Sequence, residues 1–270
     1  MRATDPRSDR AALRSLLVDA VRDAGELALA SLGPGLRTWH KADASPVSSA
    51  DIAVNELLRA RLTAATPAYG WLSEESADDP ARLAAPRTWI VDPIDGTRSY
   101  VEGRPDWSVA VALVEEGRPI LGAVFAPAER ALFVAAAGDG ATRNGVPISA
   151  TGGSSLDRSR VAGPRRQLEQ LAGLVPGIEP VPKIYSLALR LARVAQGTID
   201  AALASRSAHD WDLAAADLLV HEAGGALTAV GGERPSYNRA DPVHGSLIAA
   251  GGARHAALVD VLREHRRQFA

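Results

Sequence analysis

Trp89-Ile90-Val91-Asp92-Pro93-Ile94-Asp95-Gly96-Thr97 ends an apolar run on two carboxylates three residues apart. Thr88 to Asp92 has the make-up of a short buried strand. Pro93 fixes its own φ and has no N–H, so the chain is expected to turn sharply after Asp92. Asp92 and Asp95 then converge, and Ile94 offers its carbonyl to the same point. Gly96 and Thr97 follow with free backbone amides at an expected helix start, where a phosphate is well held. A cation between carboxylates, with a phosphate beside amide donors, is the arrangement that metal-assisted phosphoryl chemistry needs. The plain alternative is a capped turn with solvated Asp side chains.

Three further segments bear on the same chemistry. Upstream, Trp71-Leu72-Ser73-Glu74-Glu75 is an apolar run ending in paired Glu, which alone reads as a solvated face. Lys41-Ala42-Asp43, then Ser48, Ser49 and Asp51, reads as an ordinary surface Lys and a capping box. Downstream, His209-Asp210-Trp211-Asp212-Leu213 opens an apolar helix for which Asp212 is a natural N-cap.

Around these segments the periodicity predicts helices over Asp9–Leu32 and from Ser48 to just before Pro67. A hairpin is expected from Ser108–Val114 and Ile120–Phe125, with a third strand at Leu132–Ala136. The second half alternates strands near Arg160–Gly163, Ile199–Ala204, Ala226–Ala229 and Ser246–Ala250 with helices near Arg165–Leu171, Ser186–Gln196, Leu213–Ala223 and Arg254–Arg267. Thr151-Gly152-Gly153-Ser154-Ser155 is the least committed stretch. It sets the expected division into an α+β part, residues 1–150, and a smaller α/β part, residues 151–270.

Composition narrows the chemistry. The chain has 270 residues, 30 Lys plus Arg against 32 Asp plus Glu, and a formal net charge of −2. That balance argues against a nucleic-acid polymer or an anionic membrane as partner. Cysteine is absent, which excludes disulfides, thiolate nucleophiles, Cys-ligated zinc and iron–sulfur clusters. No segment reads as a membrane span or a signal peptide, so the expected location is cytoplasmic. The six His show no paired ligand spacing and read as surface residues.

Taken together, Ser73-Glu74-Glu75, the Trp89–Thr97 motif, Trp211-Asp212-Leu213-Ala214-Ala215-Ala216 and Glu222-Ala223-Gly224-Gly225 resemble the inositol monophosphatase superfamily in order and spacing. The likeness runs from about Lys41 to Gly225, and the central motif is highly specific. Lys41 to Ile52 looks most like the bisphosphate nucleotidase branch. The resemblance implies a layered αβαβα sandwich and a Mg²⁺-dependent phosphomonoesterase acting on a small phosphate ester, with no phosphoenzyme. It implies one Mg²⁺ held by Glu74, Asp92 and the Ile94 carbonyl, and a second held by Asp92, Asp95 and Asp212. A third, weaker ion would lie near Glu74 and Glu75. Glu74 and Thr97 would orient the attacking water, with Asp51 hydrogen-bonded behind Thr97, and the Gly96 and Thr97 amides would bind phosphate. Inhibition by Li⁺ and a homodimer are further implications.

The resemblance points first to a 3′(2′),5′-bisphosphate nucleotidase. Where animal inositol monophosphatases carry a Glu that binds an inositol hydroxyl, this chain has Ser205, so inositol-1-phosphate is the second substrate considered. Arg206, His209 and Lys41 are the candidates for meeting an additional anionic group, with a solvated loop as the alternative for the first two. Other readings are a catalytically degenerate relative that binds a nucleotide or protein, and a haloacid-dehalogenase-type phosphatase. The latter places one residue between its two Asp, whereas Pro93 and Ile94 both intervene here.

Overall fold

The computed structural model describes residues 6–41 and 45–269; Asp43 lies outside them. In chain order the elements are α1 Pro6–Ser31, β1 Thr38–His40, β2 Pro46–Ser48, α2 Ser49–Ala65, β3 Gly70–Ser73, β4 Thr88–Asp95, α3 Thr97–Val101, β5 Ser108–Glu115, β6 Arg118–Ala126, β7 Ala131–Ala136, β8 Gly140–Arg143 and β9 Val146–Pro147. There follow β10 Arg160–Ala162, α4 Arg165–Leu174, β11 Glu179–Pro180, α5 Leu187–Ala195, β12 Ala201–Ala204, β13 Ala208–His209, α6 Asp210–Glu222, β14 Gly225–Ala229, β15 Val243–His244, β16 Leu247–Gly251 and α7 Gly252–Glu264. A short 3₁₀ turn, Pro80–Ala84, precedes β4.

Strands β3 to β9 form one seven-stranded sheet in sequence order, antiparallel except for the parallel β3–β4 pair. The second sheet has the order β11-β10-β12-β16-β14. Period-2 alternation sorts the side chains of both sheets into layers. Val109, Val111, Leu113, Ala123 and Val134 face α1 and α2 in one cluster. Ala110, Ala112, Val124 and Phe133 face the other way, into a cluster shared with α5, α6 and the Ala202, Ala204 and Ala249 face of the second sheet. Val161, Ala201, Leu203 and Ile248 complete the stack against Leu168 and Leu171 of α4 and Leu258, Val259 and Leu262 of α7. The architecture is therefore helix, sheet, helix, sheet, helix, as expected. Because both faces are covered, β7 and the Trp89-Ile90-Val91 part of β4 read as continuous apolar runs.

Three local expectations need correction. The chain does not leave the sheet after Asp92: Asp92 pairs with Ala110 and Asp95 with Ser108, with a register shift between them. Pro93 cannot donate to a ladder, so it sits in this bulge instead of in a turn. Helix α6 begins at Asp210 with His209 as N-cap, which places Asp212 at the third helical position, its carboxylate accepting the His209 N–H at 2.6 Å. His244 and His255 are buried, His244 against Asp210 at 2.7 Å and His255 against Thr228 at 3.0 Å.

Candidate active site

The bulge in β4 presents Asp92 and Asp95 on the side where α5 and α6 begin. One carboxylate oxygen from each of Asp92, Asp95 and Asp212 falls in a group spanning no more than 4.8 Å. Asp95 is fixed by the start of α5: its Oδ2 accepts from the Ser186 hydroxyl and the Ala188 N–H, both at 2.6 Å. Asp212 is fixed by the His209 amide. Asp92 differs, because both of its oxygens are buried and neither has a hydrogen-bond partner. A carboxylate kept in that state costs free energy unless a cation meets it.

The electrostatics follow from this crowding. Burial first, then Glu74, Asp95 and Asp212, push Asp92 well above the ordinary carboxylate range. Burial and then Asp95 do the same to Asp212, against the opposing His209 amide. Asp95 is pushed up to about 6 by burial, moderated by its Ser186, Ala188 and Leu187 donors. The oxygens are close and hard, and those of Asp92 have no donor, which suits a small divalent cation.

Beside them, Gly96 adopts φ 88 and opens α3. A side chain there would meet Ser186 N at 3.0 Å and Asp106 O at 3.1 Å, so glycine is required by conformation and by space. The Thr97 hydroxyl lies 2.9 Å from the Ile94 carbonyl and 3.2 Å from Asp51 Oδ1. Asp51 also closes the Ser48 capping box, accepting from the Ser48 amide at 2.8 Å and its hydroxyl at 2.6 Å. Burial pushes Asp51 up to about 6 despite these donors.

Glu74 and Glu75 follow β3, held by Asn55, which accepts from the Ser73 hydroxyl at 2.7 Å. Both are ion-paired to Lys41, at 2.8 Å for Glu74 and 2.5 Å for Glu75. Burial pushes Glu75 up to about 7, opposed by Lys41. The two carboxylates outweigh burial and hold Lys41 protonated. Lys41 is thus placed on the acidic pair.

A cavity of 850 Å³ opens from Asp95 and Asp212 toward the second sheet. Lys183, Tyr185, Arg190 and Ser205 contribute to its wall, and Arg165 pairs with Glu169 at its edge at 2.8 Å. Arg190 is buried and donates to the carbonyls of Leu203 at 3.0 Å and Ile184 at 2.7 Å, while its Nε has no partner. Lys183 lies over the Tyr185 ring at 4.0 Å. Among the described residues neither cation is in an ion pair. Arg206 is exposed and outside the cavity wall; His209 is half-buried and stacks on Trp211 at 4.5 Å.

Of the residues singled out in the sequence, Asp92, Asp95 and Asp212 form one oxygen group, Thr97 meets Asp51 and the Ile94 carbonyl beside Gly96, and Glu74 and Glu75 pair with Lys41. The sequence reading missed Ser186, which orients Asp95, and Arg190. A signal existed for Ser186, a natural N-cap before the apolar Leu187–Ala195 run. Nothing in the sequence tied it to a carboxylate 91 positions earlier.

A layered α/β fold with an all-oxygen acidic site beside a helix start defines a class of phosphate-processing proteins. The model of the inositol monophosphatase family matches residues 9–267, and the chain belongs to that family. It is 37% identical over 232 residues to a histidinol-phosphatase of Mycobacterium tuberculosis, covering 82% of this chain and 85% of that protein. It is 35% identical over 241 residues to an inositol-1-monophosphatase of Rhizobium meliloti, covering 84% and 89%. The solved extragenic suppressor protein suhB from Bartonella henselae superposes with a TM-score of 0.83 at 27% identity, covering 94% of this chain and 99% of that one. The chain is accordingly a phosphoric monoester hydrolase. These relatives give the family and not the bisphosphate nucleotidase branch.

Proposed function

We propose that the protein is a Mg²⁺-dependent phosphomonoesterase whose substrate carries a second anionic group on its leaving group, a nucleoside 3′,5′-bisphosphate being the first candidate. The observation that carries the metal reading is Asp92, with two buried oxygens and no donor on either. Asp92, Asp95 and Asp212 would hold one cation, and Glu74, Asp92 and the Ile94 carbonyl another. When bound, such a cation supplies Lewis acidity and lowers the pKa of water at the site.

The protein's own groups do the rest. The first amides of α3 have no carbonyl partner within their helix, and Gly96 and Thr97 aim them at the phosphoryl oxygens. The Thr97 hydroxyl donates its one proton to Asp51 or to the Ile94 carbonyl, leaving a lone pair to accept from the attacking water. Glu74 accepts the proton that this water gives up.

The leaving-group reading rests on charge in the cavity. Glu169 and Arg165 cancel, Ser205 is neutral, and Lys183 and Arg190 form no ion pair among the described residues, Asp95 being the carboxylate that Arg190 feels across the cavity. A buried guanidinium left so is worth keeping where an anion meets it. The test is kcat/KM, side by side, for adenosine 3′,5′-bisphosphate, inositol-1-phosphate and histidinol phosphate in Mg²⁺. The bisphosphate is expected to lead, with loss of activity on adding Li⁺. A lead of about tenfold (about 1.4 kcal/mol) for either monophosphate rejects the anionic reading of the cavity and leaves the phosphatase reading standing.

A further inference from the structure

The two candidate cation positions draw on separate pieces of chain: Glu74 leaves β3, and Asp212 sits in the first turn of α6. A set of polar contacts joins these pieces, with Arg82 and Asp210 buried, Asn238 half-buried and Asp78 exposed. Arg82, in the 3₁₀ turn after the acidic segment, is buried and donates from Nε and Nη2 to both oxygens of Asp78, at 2.6 and 2.9 Å. Asp78 lies four residues beyond Glu74, in the segment that Asn55 and Trp71 pin through the Ser76 hydroxyl at 3.1 and 3.0 Å. The same guanidinium crosses to the loop before β15. Its Nη1 donates to Asn238 Oδ1 at 2.7 Å and its Nη2 to the Arg239 carbonyl at 3.0 Å. The backbone N–H of Asn238 donates to Asp210 Oδ2 at 2.7 Å, and His244 Nε2 lies 2.7 Å from the other oxygen. Asp210 is fully buried and is the first residue of α6, two positions before Asp212.

From this chain of contacts we infer that Arg82, Asn238 and Asp210 are positioning residues that set the separation of Asp212 from the Glu74 segment, and so tune cation affinity without touching cation or substrate. The inference rests on the metal reading above. Two features favour it over a purely structural role. The link runs between the elements that carry the acidic ligands and avoids the substrate cavity. It also passes through Asn238 at φ 56, a left-handed position that holds the Asn side chain toward Arg82.

That φ supplies the test. Arg82→Ala removes a buried guanidinium and risks unfolding the protein. Asn238→Gly keeps the left-handed backbone at no steric cost and removes only the side-chain link. Asn144→Gly is the control: it has the same substitution at φ 51, at the far edge of the seven-stranded sheet, where Asn144 accepts from the Leu132 amide at 2.8 Å. Mg²⁺ is titrated calorimetrically into each metal-free protein, and thermal melts are recorded beside it. Asn238→Gly should weaken Mg²⁺ binding about tenfold or more, the range for residues that orient a metal's ligands. Asn144→Gly should lower the melting temperature and leave Mg²⁺ affinity unchanged. Unaltered Mg²⁺ affinity in Asn238→Gly overturns the inference, whatever its melting temperature. Absence of Mg²⁺ binding by the unmutated protein overturns the metal reading itself, a result that the variant alone cannot produce.

Discussion

Asp92 is held at the edge of the β4 bulge by its pairing with Ala110, and its carboxylate has been given no donor. Its neighbours Glu74, Asp95 and Asp212 repel it, so in metal-free protein the charged form works against the fold. Asp92→Asn removes that repulsion. It should raise the metal-free melting temperature by a few degrees, of the order that ~1 kcal/mol gives in a protein of this size, while abolishing turnover. A fall in the metal-free melting temperature would mean that the carboxylate stabilises the apo fold. At this scale the convergence of Asp92 and Asp95 was legible from their spacing, whereas Asp212, which the structure brings beside them, was joined to them only by the family resemblance. Ser186 and Arg190 were not legible. Their neighbours in space are Asp95 and the carbonyls of Ile184 and Leu203, and spacing carries no record of that.

Helix α6 ties the site to the sheet. It packs across β5 and β6, and at one point the backbones come so close that only glycine fits. A Cβ on Gly122 would lie 2.7 Å from the Ala215 carbonyl oxygen and 3.1 Å from its Cα. Backbone atoms cannot swing aside as a side chain can. Gly122→Ala should therefore cost about 1–3 kcal/mol in urea unfolding, the range for overpacking. An unchanged midpoint and slope would show that α6 shifts freely on the sheet. The long helices and the central strands β5–β7 were readable from periodicity and apolar runs. Strands of two or three residues, such as β1, β11, β13 and β15, were not, since so short a segment shows no period. The turn expected after Asp92 failed for a related reason. Pro93 signals a break in the ladder, but a bulge and a turn break it alike.

For the molecule as a whole, a net charge of −2 conceals groups kept from their ordinary ionisation. Away from the acidic cluster, burial pushes Asp217 up to about 6, against the Tyr237 hydroxyl that donates to it at 2.9 Å and the nearby Arg118 and Arg234. The folded state thus holds this proton to higher pH than the unfolded chain, whose Asp titrates near 3.9. Between about pH 4 and pH 6 the native state binds more protons, so Asp217 makes stability fall as pH rises through that window. Asp217→Asn should flatten that part of the curve of unfolding free energy against pH. An unaltered slope would show that Asp217 titrates normally. No helix among the described residues is long and apolar enough to cross a membrane. The α/β character of the second half was legible because helix and strand periods alternate there, while the order of the layers came from the family resemblance. The cavity wall was not legible, since it is assembled from α4, α5 and the loops beside β11 and β12, which only the tertiary fold brings together.

The central claim is that phosphate is released through cations held by oxygen ligands from both parts of the chain. Its most direct test is the rate of inorganic phosphate release from adenosine 3′,5′-bisphosphate and inositol-1-phosphate in Mg²⁺, in excess chelator, and in Asp212→Asn. Release should require Mg²⁺, stop in chelator, return when Mg²⁺ is restored, and be lost in Asp212→Asn with the fold intact. Undiminished release in chelator or in Asp212→Asn, or a phosphorylated Asp92 trapped on the protein, would contradict it.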